Sequence, residues 1–320
     1  MLTRRSTVAA AGVLLARPAL AQSWPQPGRP ILIVVPYAPG GSTDTSARMM
    51  AAAISAAVGA PVQVLNRPGA GGQVGAAEAA RARPDGHTLL WAVLPTLISH
   101  YLDPARHVPY ARESFQPVAL HHLSPVTFAV RTDGPYRSVR DLVEAARATP
   151  DGVSISDSGQ GATPHLGVLL LQLVTGARFA SIHFDAGPPS ATALLGGHVD
   201  AVAGGAADVV PGLRSGALRV IGTAGEAPDG LLPGVPTLRA EGYDVVMASA
   251  SGLLAPAGTP PVVVRTLTDA VRRALDGAEY RERLRNFGIV PDYRNPEDYA
   301  AYWERDEARM RALMPLLAPS

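Results

Sequence analysis

Three glycine-rich turns constrain this chain more than any other feature, because each follows a short apolar run and leads into a segment with helical spacing. Ile31 to Val35 runs into Pro36-Tyr37-Ala38-Pro39-Gly40-Gly41-Ser42-Thr43-Asp44. Val62 to Leu65 precedes Gly69-Ala70-Gly71-Gly72-Gln73, and Val153-Ser154-Ile155 precedes Ser158-Gly159-Gln160-Gly161-Ala162-Thr163. Strand, tight turn and helix in succession make the repeating unit of an α/β sheet. A glycine turn that opens a helix also presents unpaired backbone N–H groups beside the positive end of the helix dipole, a natural place for an anion. Three such turns point to a receptor for a carboxylate.

A chain of 320 residues is too long for one small core and suits two α/β lobes. All 28 of its lysine-type cations are arginine, since it contains no lysine, which removes Schiff-base chemistry and the phosphate-loop lysine together. Cysteine is also absent, so thiol catalysis, disulfides and thiolate zinc sites are excluded. A net charge of +1 offers no basic face for nucleic acid.

The N-terminus reads as an export signal over residues 1–21. Arg4-Arg5 is followed by a mostly apolar stretch from Val8 to Ala16 and by Ala19-Leu20-Ala21, a small-x-small cleavage site before Gln22. The tandem arginines after Thr3 suggest the twin-arginine route, although Thr7 and Val8 stand where that motif has Phe and Leu. The apolar run is short for a membrane span, which needs about 20 residues. The mature protein is therefore expected to be soluble and periplasmic.

Ile31 to Leu94 reads as strand, helix, strand, helix, strand, with Ala47, Met50, Ala51, Ile54, Ala57 and Val58 on one helical stripe that ends at Gly59. Ile31 to Val35 and Thr88 to Val93 are apolar without alternation, as in a sheet covered on both faces. A second series runs from Val126 to Thr223 and includes a helix with Thr163 as N-cap and Pro164 at N1. Charged helices after Pro261 return as an outer layer. The expected fold is α/β, a two-lobed periplasmic-binding-protein architecture with a mostly parallel sheet flanked by helices in each lobe. Residues 22–124 with 250–320 make lobe 1, residues 125–249 make lobe 2, and two crossovers form a hinge.

Other motifs fail on spacing. Glycines at 69, 71, 72 and 75 miss the dinucleotide fingerprint, because Val74 stands at its last glycine. Ser158 lacks the glycine two residues earlier that a nucleophile elbow needs, where Ser156 stands instead. None of the eight histidines has H-E-x-x-H spacing, and His121-His122 in an extended segment would point to opposite faces. No metal and no cofactor are expected. Asp44, His165, His183, Asp185 and Asp208 are the only titratable groups available for acid–base work in the cleft.

The turns named above, together with Asn66-Arg67-Pro68-Gly69, Arg83-Pro84-Asp85-Gly86-His87-Thr88-Leu89, Leu194-Leu195-Gly196-Gly197-His198-Val199-Asp200 and Gly252-Leu253-Leu254-Ala255-Pro256-Ala257-Gly258-Thr259-Pro260, resemble the Bug family. These are the extracytoplasmic receptors of tripartite tricarboxylate transporters, and the resemblance spans nearly the whole mature chain. It implies a Venus-flytrap fold in which a ligand carboxylate sits between the turns of both lobes, held by backbone amides and bridging waters. By position it implicates Gly40, Gly41, Ser42 and Asp44, then Ala70 and Gly71, then Ser158, Gly161, Ala162 and Thr163, with Thr96 as a further polar position.

Two segments depart from the family pattern. His183-Phe184-Asp185-Ala186-Gly187 is one residue short and lacks the usual Tyr and Lys, and Gly204-Gly205-Ala206-Ala207 replaces Asp-Asn-Leu-Pro. Asp185 and Gly205 are counted with the ligand-binding positions, and the glycines are expected to widen the pocket for a bulkier, aromatic solute. The resemblance implies a non-enzymatic, monomeric receptor that binds a small organic acid and delivers it to a membrane permease, or acts as an orphan without one. The alternatives are an enzyme acting on a small organic acid and a ligand-loaded sensor that docks on a signalling partner.

Overall fold

The structure is a computed structural model that describes residues 24–317, so the export-signal region lies outside the described residues. The first series is β1 (Ile31–Val35), α1 (Ser42–Val58), β2 (Val62–Asn66), α2 (Gln73–Ala80), β3 (Thr88–Leu94) and α3 (Thr96–Leu102), followed by β4 (Phe115–Pro125). The second comprises β5 (Thr127–Arg131), α4 (Val139–Ala148), β6 (Ser154–Asp157), α5 (Thr163–Thr175), β7 (Ala180–His183), α6 (Gly187–Leu195), β8 (Ala201–Gly204), α7 (Ala206–Arg214) and β9 (Leu218–Thr223). The chain then returns through β10 (Ala248–Pro256), α8 (Pro261–Asp276), α9 (Ala278–Asn286), β11 (Pro291–Arg294) and α10 (Pro296–Leu317).

The strands form two sheets. One has the order β11-β4-β10-β3-β1-β2 and the other β7-β6-β8-β5-β9. The parallel pairs β1·β2, β1·β3, β6·β7 and β6·β8 carry the glycine turns at their ends, while β10 and β5 run antiparallel to their neighbours. The lack of alternation in β1 has a direct cause. Ile31, Ile33 and Val35 pack with Met50, Ile54 and the α8 residues Leu267 and Val271, whereas Val34 packs on the other face with Ala76 and Ala79 of α2. Full burial of each such side chain contributes about 1.5–3 kcal/mol.

Helix ends are set by local chemistry. α1 closes at Gly59 in the left-handed region (φ +66°), its N–H reaching the Ser55 carbonyl. α4 opens with a reciprocal box, in which Ser138 Oγ accepts the Asp141 N–H at 3.2 Å and Asp141 accepts the Ser138 N–H at 3.0 Å. α5 corrects the sequence expectation: Ala162 is its N-cap, and Thr163 already lies inside the helix. The Thr163 hydroxyl is therefore free for another partner.

Two strands cross between the sheets side by side. β4 enters and β10 returns, with Ala248 opposite Pro125 and Ser249 opposite Ser124. α10 lies against β4, α3 and α5, so elements of both series share one core that includes Tyr299, Trp303 and Met310. Among the described residues no helix is long and apolar enough to cross a membrane.

Candidate functional site

The two series meet along a narrow, partly open cleft. It is walled by the β1–α1 turn on one side and by the starts of α5, α6 and α7 on the other, with β4 and β10 as its floor. Of the residues singled out in the sequence, Gly41, Ser42, Asp44, Thr96, Ser158 and Gly205 line it. Gly40, Ala70, Gly71, Gly161, Ala162, Thr163 and Asp185 lie outside this lining.

Gly71, Gly161, Thr163 and Asp185 have been drawn into contacts between the two sides. A Cβ on Gly71 would stand 2.6 Å from the Gln160 carbonyl oxygen, and one on Gly159 would stand 2.8 Å from Gly71 Cα, so the second and third turns abut backbone to backbone. Arg106 reaches the Gln160 carbonyl at 2.7 Å and the Ala70 carbonyl at 3.4 Å, and Ser99 Oγ donates to the Gly161 carbonyl at 2.7 Å. The Asp185 side chain is exposed, and its carbonyl accepts the Ala38 N–H at 3.3 Å. Thr96 and Thr163 join hydroxyl to hydroxyl at 2.9 Å.

Several amides expected to grip an anion are committed within the protein. Gly40 N–H donates to Asp44, Ser42 N–H to Asp208, Gly159 N–H to Asp157, Gly161 N–H to His165 and Thr163 N–H to Thr96. What faces the cleft uncommitted is a set of hydroxyls. Ser124, Ser158, Ser249 and Ser251 line it, and among the described residues their side chains have no hydrogen-bond partner, nor does the Ser158 amide. Each can donate one bond and accept others.

Asp44 holds the first turn in shape. Burial works to raise its pKa, but hydrogen bonds from Arg48 (2.9 Å), Gly40 (2.9 Å) and Asn66 (2.8 Å) outweigh this and keep the carboxyl below its ordinary range. Arg48 is thereby spent on Asp44 and Asn66, and Arg67 pairs with Glu78 at 2.7 Å. No arginine lines the cleft among the described residues.

The floor supplies a residue that the alternation argument missed. A bulge in β4 pairs Ser251 with His122 and Gly252 with Leu120, leaving His121 unpaired, and a bulge re-aims side chains out of strict alternation. The rings of His121 and His122 consequently meet, Nδ1 to Nδ1 at 2.8 Å, while His121 Nε2 meets the Tyr280 hydroxyl at 3.0 Å. Burial pushes His122 down to about 4, so it is neutral at pH 7. When Tyr280 donates to His121, the chain of bonds leaves the His122 proton on Nε2, which has no partner among the described residues and belongs to a residue that lines the cleft.

Asp208, singled out in the sequence only as a titratable group, lines the cleft as well. It sits in the first turn of α7, where its Oδ2 accepts the Gly205 N–H at 3.3 Å, and it reaches across the cleft to Ser42, accepting the N–H at 3.0 Å and the hydroxyl at 3.3 Å. A Cβ on Gly187 would stand 2.2 Å from Asp208 Cγ, and Cβ atoms on Gly204 and Gly205 would come within 3.7 Å and 3.5 Å of its Oδ2. Gly187 is the glycine that makes room for this carboxylate, while Gly204 and Gly205 lie at ordinary contact distance from it.

Folding also gathers Asp157, His165 and His183, whose ligand atoms lie within 4.8 Å of one another. Spacing gave no sign of this cluster. Asp157 Oδ1 accepts from His183 Nδ1 at 2.9 Å and from Gly159 N–H at 2.8 Å, and its Oδ2 is buried without a partner. His165 Nδ1 accepts the Gly161 N–H at 3.0 Å, so neutral His165 carries its proton on Nε2, the polarity opposite to that of a metal ligand, whose outer nitrogen donates. None of the three lines the cleft.

Two sheets joined by paired crossover strands, closing on a polar cleft at helix N-termini, define a two-lobed solute-binding protein. Residues 46–317 match the tripartite tricarboxylate transporter family receptor, and the chain belongs to that family. It is 32% identical to the protein BugT of Bordetella pertussis over 91% of this chain and 88% of BugT. Two solved structures from Rhodopseudomonas palustris share the fold. MatC (Rpa3494), solved with bound malate, is 30% identical, with a TM-score of 0.83 over 91% of this chain and all of its own. Rpa4515, solved with adipate, is 27% identical, with a TM-score of 0.86 over 92% of this chain and 98% of its own.

Proposed function

We propose that this protein captures a small carboxylate-containing solute between its lobes, outside the cytoplasm, and presents it as a monomer to a membrane permease of the tripartite tricarboxylate type. The observation that carries this reading is the cleft itself, a polar cavity at the apposed starts of α1, α5 and α7 that is lined by serine hydroxyls free of protein partners. The malate and adipate held by two relatives support carboxylates as the ligand class.

The donors proposed for the carboxylate are the Ser158 amide and hydroxyl, the hydroxyls of Ser124, Ser249 and Ser251, and His122 Nε2. Hydrogen bonds to a charged group contribute about 1.5–3 kcal/mol each, and a micromolar dissociation constant needs about 8 kcal/mol, so four or five of them suffice without an arginine. Lobe 1 (residues 22–124 and 250–320) and lobe 2 (residues 125–249) would open about the β4–β5 junction and the entry to β10, and the ligand would select the closed form by touching both.

Turnover is not part of this reading. The Asp157–His183 pair lies off the cleft, and Ser158 has no base bonded to it. The test is a binding screen of residues 22–320 against mono-, di- and tricarboxylates and acidic amino acids, with the bound compound recovered and weighed by mass spectrometry. A ligand recovered unchanged supports a receptor; conversion to product would mean an enzyme.

A further inference from the structure

The carboxylate of Asp208 occupies the place where a helix N-terminus would receive a ligand's anion. Ser42 is the first residue of α1, and both its N–H and its hydroxyl end on Asp208. The Gly205 N–H, at the start of α7, ends there too. Two positive helix ends from opposite walls of the cleft thus share one carboxylate, and that carboxylate belongs to the protein. Gly187 leaves the space it fills, since a Cβ there would stand 2.2 Å from its Cγ.

Among the described residues, no cation stands beside this group. From α1 it faces Ser42, with Asp44 nearby already satisfied by Arg48, Gly40 and Asn66. The floor contributes neutral His122 and Ser124, and α6 begins beside it with Gly187 and Pro188. Burial raises its pKa against the opposing hydrogen bonds from Ser42 and Gly205. A carboxylate has about four acceptor positions, and three are used, so one remains for a donor from the solute.

We propose that Asp208 determines specificity: the cleft takes solutes that present one carboxylate to the serine-lined side and a hydrogen-bond donor, an ammonium or a hydroxyl, to Asp208, and it discriminates against a second carboxylate there. This rests on the carboxylate-receptor reading and narrows it. A like charge brought to within a few ångströms of a buried carboxylate is repelled strongly, because little water screens the pair.

The experiment is calorimetric titration with length-matched sets that differ only in the far group: succinate, 4-hydroxybutyrate and 4-aminobutyrate, and the corresponding sets one carbon shorter and longer. The wild-type protein is expected to prefer the hydroxy or amino acid over the matched dicarboxylate by about tenfold or more. Asp208→Ser narrows or reverses that preference by at least the same factor, and Asp208→Asn, which keeps the shape, does so as well. Preference of the wild-type protein for the dicarboxylate would overturn the assignment. So would an equal gain for every member of a set in both variants, which would make Asp208 a closure latch without selectivity. Failure of every acid to bind folded wild-type and variant proteins alike would remove the carboxylate reading, and this one with it.

Discussion

Across the cleft, Thr96 Oγ1 meets Thr163 Oγ1 at 2.9 Å and also accepts the Thr163 N–H at 2.8 Å, so one hydroxyl of the first lobe satisfies two groups of the second. Both residues are buried. Thr96→Val keeps the shape and strands the Thr163 N–H in the closed form only, at a cost of about 1–3 kcal/mol. Solute affinity is expected to fall by about tenfold to a hundredfold while the melting temperature of the ligand-free protein changes little. Unchanged affinity by calorimetry would show that the pair does not hold the lobes together.

Closure is also limited by glycine. A Cβ on Gly41 would stand 3.3 Å from Pro188 Cδ, and Gly159 (φ +133°) approaches Gly71 so closely that no side chain fits. Gly41→Leu and Gly159→Ala should each fold, lose solute binding, and show a larger radius of gyration by small-angle scattering than the wild-type protein. A variant that closes normally would refute the close approach.

Much of the fold was legible because its signals are local. The apolar runs of β1 and β3, Gly59 as a helix stop and the unit of strand, glycine turn and helix all follow from short segments. The site was legible in part. Gly41, Ser42, Asp44, Thr96, Ser158 and Gly205 line the cleft, but the use of the turn amides was not readable, because their partners Asp44, Thr96, Asp157, His165 and Asp208 are chosen by tertiary packing. His122 was missed because a bulge breaks the two-residue period that assigned it a face. Asp208 was legible as a titratable group of the cleft but not as the partner of Ser42, because only folding brings residues so far apart in the chain together.

Buried histidines set the acid limit of stability. Burial lowers His100 to about 3, His122 and His165 to about 4, and His121 well below its ordinary value. A depressed folded pKa means that the folded state resists a proton the unfolded chain accepts near pH 6.5, so the contribution is full above that pH and is lost as pH falls toward 4. Asp208 and Asp306, raised by burial, act oppositely: their contribution is full below the ordinary carboxylate range and is lost as pH rises through their folded values. The melting temperature should decline from pH 6.5 to 4.5, and His165→Asn, with an amide oxygen to accept the Gly161 N–H, should flatten that decline. A flat wild-type profile would contradict the assignment.

Trp303 ties α10 to the shared core, fully buried and donating its Nε1–H to the Tyr101 hydroxyl at 2.9 Å. Trp303→Ala is expected to cost about 3–5 kcal/mol. Because α10 packs on elements of both series, denaturant unfolding should show one transition moved to lower concentration. Selective loss of one lobe would argue against a common core.

The most direct test of the central claim is calorimetric titration of the wild-type protein with the acid recovered from the binding screen, alongside Ser158→Ala. A one-to-one complex, with the acid recovered unchanged and affinity reduced about tenfold or more in the variant, is the predicted result. Consumption of the acid, or equal affinity in both proteins, would contradict a receptor that grips its solute at the serine-lined cleft.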